Sequence, residues 1–142
     1  MLRTAKKLLS AALLAAAFAA PAAAFDQVGH DARCDDARVL DVISAKFAYQ
    51  VRHVPHLPDV DIVSFDRVHQ RRHVQASKRN ATVISRRYCK ARAHLSDGRH
   101  RSVWYMIEDG MGFAGAFGDG VQFCVAGFDR WKVYNAWCRV VR

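Results

Sequence analysis

The stretch that most constrains this chain is residues 86–108, RRYCKARAHLSDGRHRSVWYMIE. Two strand-like runs flank Asp97-Gly98, a dipeptide that readily supplies the positive φ values of a two-residue hairpin turn. A two-residue loop predicts Ser96 opposite Arg99, Ala93 opposite Ser102, Ala91 opposite Trp104 and Cys89 opposite Met106. Successive side chains of a strand point to opposite faces, so this register sorts the hairpin into two surfaces. One carries Cys89, Ala91, Ala93, Leu95, Ser102, Trp104 and Met106, where small residues leave room for an indole. The other carries Tyr88, Lys90, Arg92, His94, Arg101, Val103, Tyr105 and Ile107, a basic face interleaved with aromatics.

An apolar sheet face needs a cover, and the sequence supplies one upstream. Val39, Leu40, Ile43, Phe47, Ala48 and Val51 recur at three- and four-residue steps, the spacing of one helical stripe. Asp35 or Asp36 can cap that helix, which should run to about Gln50 before Pro55 and Pro58 end it. Its expected contact is Ile43 and Phe47 against Trp104 and Met106. Residues 59–74 read as a strand that loses its clean alternation midway, and 76–80 as a polar turn. After the hairpin comes DGMGFAGAFGDG, in which G-M-G-F-A-G matches the letters of a dinucleotide fingerprint. That motif requires a helix after it, whereas here a strand, VQFCVA, follows, so a glycine-rich loop with Phe113 and Phe117 folded back on the core is expected. Residues 127–130 turn the chain, and 131–134 and 137–141 should be extended.

The first residues set the compartment. Met1 to Lys7 are basic, 8–20 are apolar but too short to span a bilayer, and Pro21-Ala22-Ala23-Ala24 offers a signal-peptidase site. The expectation is a secretory signal over 1–24 and a single exported domain over 25–142, periplasmic or secreted, with no transmembrane segment in the mature part. All four cysteines, Cys34, Cys89, Cys124 and Cys138, lie beyond that site, and an even number in a small exported domain argues for two disulfides. Three pairings are possible. Cys34–Cys89 with Cys124–Cys138 is favoured, since the first ties the helix start to the hairpin and the second closes a short loop.

One helix followed by four to five antiparallel strands defines an α+β domain, the helix packed across one face of a curved sheet. By element order this is a cystatin-like or nuclear-transport-factor-like (NTF2-like) layout. Cys34-Asp35-Asp36, Tyr88-Cys89 with Leu95-Ser96-Asp97-Gly98, and residues 124–131 with Tyr134-Asn135 and Cys138-Arg139 carry a further likeness. In them the chain resembles small uncharacterised exported (periplasmic) proteins of Gram-negative bacteria, a resemblance that implies no activity and supplies no functional residues.

For chemistry the sequence offers little. It lacks C-x-x-C, C-x-x-C-H, G-x-S-x-G, H-E-x-x-H and S-x-x-K, and no cofactor is expected. His53, His56, His69 and His73 have spacings that could hold a metal, but Pro55 breaks a helix at the first pair and Arg71 and Arg72 would repel a cation. Surface histidines are the expectation. A pocket between helix and sheet could use Asp61, His94, Tyr105 or Glu108 as acid, base or donor, the alternative of a small pocket enzyme or ligand binder. The composition favours the other reading. Of 22 Lys and Arg, three precede the expected cleavage point, while all 13 acids follow it, so the domain stays basic. A basic sheet face of Tyr88, Lys90, Arg92, His94, Arg101 and Tyr105, extended by Arg71, Arg72, Arg86 and Arg87, points to a non-catalytic binding or envelope-associated protein. Its partner would be an anionic envelope component or an acidic protein; nucleic acid does not suit an exported chain.

Overall fold

The computed structural model describes residues 31–79, 81–112 and 118–142. The expected signal over 1–24 and the placing of Phe113 and Phe117 lie outside the described residues. Helix α1 (Ala37–His53) precedes strands β1 (Ile62–Val74), β2 (Arg86–Leu95), β3 (His100–Glu108) and β4 (Gly120–Val125). The strands form one antiparallel sheet in the order β1-β2-β3-β4, each beside its sequence neighbour. The architecture is the expected α+β one, a helix on a four-stranded meander.

Asp36 caps α1, its carboxylate accepting from the Arg38 amide at 2.9 Å. Of the expected apolar stripe, Val39, Ile43, Phe47 and Val51 are buried, while Leu40 and Ala48 are half-buried at its edge and Val42, outside the expected stripe, is buried instead. β1 loses alternation because the chain bulges between Asp66 and His69, where Arg67 takes φ 51°, and again between Gln70 and Arg72.

The hairpin turn differs from expectation. Its loop is three residues, Ser96-Asp97-Gly98. The Gly98 amide donates to the Leu95 carbonyl at 3.0 Å, the Leu95 amide to the Arg99 carbonyl at 2.8 Å, and Gly98 adopts φ 79°. This is a turn closed by a left-handed glycine, the geometry of three-residue hairpin loops. One extra loop residue shifts the register by one, pairing His94 with His100, Ala93 with Arg101, Ala91 with Val103 and Cys89 with Tyr105. With a period of two, that slip turns every β3 side chain over. Val103, Tyr105 and Ile107 therefore face α1 beside Cys89, Ala91, Ala93 and Leu95, joined by Val121, Phe123 and Val125 of β4. Phe47 fills the centre, its ring 4.9 Å from that of Phe128 and nearly edge-on.

Trp104 and Met106 lie on the opposite face. The expected packing of both against Ile43 and Phe47 is therefore corrected. Met106 packs with Cys124, Cys138 and Val141 in a second, smaller core, with Tyr88, Trp104 and Tyr134 around it. Its cover is the segment after β4, which is not extended as expected: it runs through turns into a 3-10 turn, Arg139–Val141. Half-buried on the outer face, Trp104 loses only part of its surface to the protein. Its replacement by alanine is expected to cost about 1–2 kcal/mol in denaturant melts, well short of the loss for a core aromatic.

The disulfides join Cys34 to Cys89 and Cys124 to Cys138, and no cysteine is free. The first lies beneath α1, where the Tyr105 hydroxyl also donates to the Cys34 carbonyl at 2.6 Å. Two further clamps hold the chain just ahead of it. Buried Asp119 accepts from the Ala32 amide at 2.8 Å and the Gly110 amide at 3.0 Å. Arg87 donates to the Ala32 carbonyl at 3.1 Å and pairs with Asp31 at 3.2 Å.

Candidate anion-contacting face

The outer face of the sheet follows from the register. Rows across the strands place Asp66 beside Arg92 and Ser102, His69 beside Lys90, Trp104 and Cys124, and Arg72 beside Tyr88 and Met106. Polar side chains occupy this side because α1 covers only the other, so the outer rows of β1 and β2 need no apolar partner.

Of the expected binding residues, Tyr88, Lys90, Arg92 and His94 do lie here; Tyr105 and Arg101 do not. Tyr105 is fully buried under α1, and burial pushes its hydroxyl far above the ordinary tyrosine range. Arg101 sits opposite Ala93 on the helix side, where its guanidinium donates to the His100 carbonyl at 3.0 Å. Both moved with the register slip. Trp104 moved the other way and replaces Tyr105 as the second aromatic of the face.

Charge is distributed unevenly over this surface. Arg92 grips Asp66 with both arms of its guanidinium, Nε to Oδ1 at 2.7 Å and the second nitrogen to Oδ2. His94 Nε2 lies 3.2 Å from the same carboxylate. The hydrogen bonds from Arg92 hold Asp66 far below the usual carboxylate range, against a smaller opposing effect of burial, and His94 adds to the lowering. A depressed carboxylate contributes stability above its ordinary titration range and loses it only as the pH falls below that range, so this pair outlasts ordinary acid conditions. Arg86 is likewise bound to Glu108 at 2.9 Å. Arg87, expected to extend the patch, faces the helix side at Asp31, and Arg71 is exposed on β1.

What remains are cations set on aromatic rings. The Arg72 guanidinium lies 4.0 Å from the Tyr88 ring centroid. Trp104 is flanked by the Lys90 ammonium at 5.5 Å and the Arg142 guanidinium at 4.2 Å. Among the described residues, none of these three cations has a carboxylate partner. Rings attract cations through their negative faces yet leave the charge unneutralised and fixed in place. Arg142 lies just beyond a stretch, 137–141, read only as extended, and Trp104 in a strand assigned to the wrong face; neither was accessible to motif reasoning.

The residues considered for catalysis are scattered. Asp61 pairs with Arg52 at 3.7 Å on the surface, His94 faces Asp66, Glu108 holds Arg86, and Tyr105 is in the core. Val39, Ile43, Phe47 and Tyr105 fill the space between helix and sheet, so the cleft envisaged there is absent among the described residues. Two polar clefts lie elsewhere. One of about 340 Å³ is bordered by Asp31, His73, Ser85, Arg87, Asp109 and Asp119, the other of about 270 Å³ by Arg33, Asp35, His69, Gln70 and Arg87. The first contains both clamps that hold the chain ahead of α1, Asp119 and Arg87, and the second contains Arg87. The four histidines do not gather. His53 stacks on Tyr49 at 3.8 Å, and His69 bonds the Arg67 carbonyl at 2.8 Å. Among the described residues no three His, Cys, Asp or Glu side chains are placed to share a metal.

Fold and site together define a disulfide-stapled α+β protein with one face covered by its helix and the other set with ring-bound cations. Comparison with protein-family models, with curated proteins and with solved structures finds no match.

Proposed function

We propose that this chain is an exported binding protein that contacts an anionic component of the cell envelope through the outer face of its sheet. Arg72, Lys90 and Arg142, each on an aromatic ring and without a carboxylate partner among the described residues, are the observation that carries the reading. Phosphate groups are the suitable counterpart. They accept hydrogen bonds from guanidinium and ammonium groups, and the rings beneath keep those donors from collapsing onto the protein. Export rests on the basic, apolar and alanine-rich opening of the sequence, and agrees with two disulfides. Among the described residues no helix is long and apolar enough to cross a membrane.

Soluble inorganic polyphosphate is the probe. Binding should weaken steeply as salt rises, since exposed charges are screened beyond about 8–10 Å near physiological strength. Arg72→Glu with Lys90→Glu should weaken it by roughly 500- to 1,000-fold at low salt, from roughly 1 kcal/mol per cation near an anionic surface, doubled by reversal. Asp66→Asn, which releases Arg92, should tighten binding about threefold or more. Affinity indifferent to salt and to both variants would exclude the face; capture of an acidic protein without polyphosphate binding would make the partner a protein.

A further inference from the structure

The segment after β4 carries a surface that the sheet face does not use. Trp131, Val133, Trp137 and Val140 are 64, 68, 72 and 52% exposed, a concentration of apolar side chains within ten residues. Isolated exposed apolar residues are ordinary; two tryptophans and two valines in one short loop are not. Residues 130–142 also hold Arg130, Lys132, Arg139 and Arg142, with no Asp or Glu among them.

The exposure is not slackness. The loop is pinned by Cys124–Cys138, by fully buried Val141 and by the Tyr134 amide donating to the Asp129 carboxylate at 3.2 Å. Turn bonds from Lys132 to Asp129 at 3.1 Å and from Asn135 to Lys132 at 2.9 Å close its interior. Asn135, Ala136, Trp137 and Cys138 all take φ between 50 and 58°, a left-handed turn of four residues that side-chain-bearing residues avoid. Strain of this kind persists only where the surroundings enforce it, here the disulfide and the small core around Met106. Tyr134 and Cys138 turn inward, while Trp131 and Trp137 are held outward on a stiff backbone.

We propose that this loop is a membrane-interface anchor that seats Trp131, Val133, Trp137 and Val140 in the outer part of an anionic lipid bilayer. Indole rings favour the headgroup boundary, where the ring meets acyl chain and the N–H meets water. Arg130, Lys132 and Arg139 are exposed, stand next to the apolar side chains in sequence and match anionic headgroups, as in interfacial elements that lie on a membrane without crossing it. Arg142 joins the two surfaces, since its guanidinium rests on Trp104 of the sheet face. The inference rests on the anion-binding reading above and names the surface as lipid.

Intrinsic tryptophan fluorescence of the purified, disulfide-intact protein tests it. Vesicles of phosphatidylcholine containing phosphatidylglycerol should shift the emission to the blue, and acyl-brominated lipids should quench it. Pure phosphatidylcholine vesicles should bind weakly. Trp131→Ser with Trp137→Ser should lower vesicle affinity about tenfold or more while leaving polyphosphate affinity unchanged. Because both side chains are exposed, the variant should melt with the wild type, and quenching of the wild-type protein gives a reading independent of any variant. Vesicle binding without blue shift or quenching would overturn insertion yet leave the sheet face standing. A blue shift on concentrating the protein without lipid would assign the loop to a second copy of the chain. Equal affinity for neutral vesicles would overturn the role given to the cations, and loss of polyphosphate binding alone would remove the sheet-face reading.

Discussion

Replacing Cys34 and Cys89 together by alanine is expected to lower the stability of the folded chain by about 4 kcal/mol. The bond closes a loop of 55 residues, and forbidding that closure in the unfolded chain is worth about 4 kcal/mol in the chain-entropy model. Alanine is the fitting replacement because both sulfurs are buried, and serine would place a hydroxyl there without a partner. The loss should also spread locally. Cys34 presents its carbonyl to Tyr105, and the disulfide holds the approach to α1 on β2 at that bond. Hydrogen exchange of the first turn of α1 should therefore quicken beyond what global destabilisation explains. The bond from Cys124 to Cys138 spans 14 residues and should cost less, about 3 kcal/mol. A loss below about 1 kcal/mol for the Cys34 and Cys89 pair, from melts of oxidised protein, would show that native strain cancels the entropic gain.

The second large effect is expected at Tyr105. Truncation to alanine removes a fully buried aromatic side chain from under α1 and leaves the Cys34 carbonyl without its donor. Together these should cost about 3–5 kcal/mol, against about 1–2 kcal/mol for Trp104→Ala. The ranking tests the hairpin register itself. If Trp104 proved the costlier residue, the strand would have slipped by one and the two faces would be exchanged. Tyr105→Phe isolates the hydroxyl and adds a pH signature. Burial raises the Tyr105 pKa above its ordinary value, so the folded state holds its proton where the unfolded chain has released it. The stability linked to that proton is complete below about pH 10 and is lost as the pH rises beyond it. Burial shifts Tyr134 in the same direction. Wild-type protein should therefore weaken above about pH 10, and Tyr105→Phe should flatten part of that fall while costing roughly 1–3 kcal/mol at neutral pH.

Local patterns in the sequence were enough for the helix, an aspartate cap at Asp35 or Asp36, the antiparallel hairpin and the strand VQFCVA, because each rests on spacing within about ten residues. The same holds for the small side of β2, where Cys89, Ala91 and Ala93 could face only a core. Asp97-Gly98 announced a turn, yet Ser-Asp-Gly suits a three-residue loop as well as Asp-Gly suits a two-residue one, and local preference separates them weakly. Packing decided between them. The longer loop gathers Val103, Tyr105 and Ile107 with Val121, Phe123 and Val125 beneath a single helix, and leaves Trp104 free to take the Lys90 and Arg142 cations. Arg92 and Lys90 alternate identically in the sequence, and only the strand beside them distinguishes the paired cation from the available one: β1 brings Asp66 to Arg92 and His69 to Lys90. Pairing across strands far apart in sequence is a tertiary property, since it depends on bulges and registers that no single segment contains.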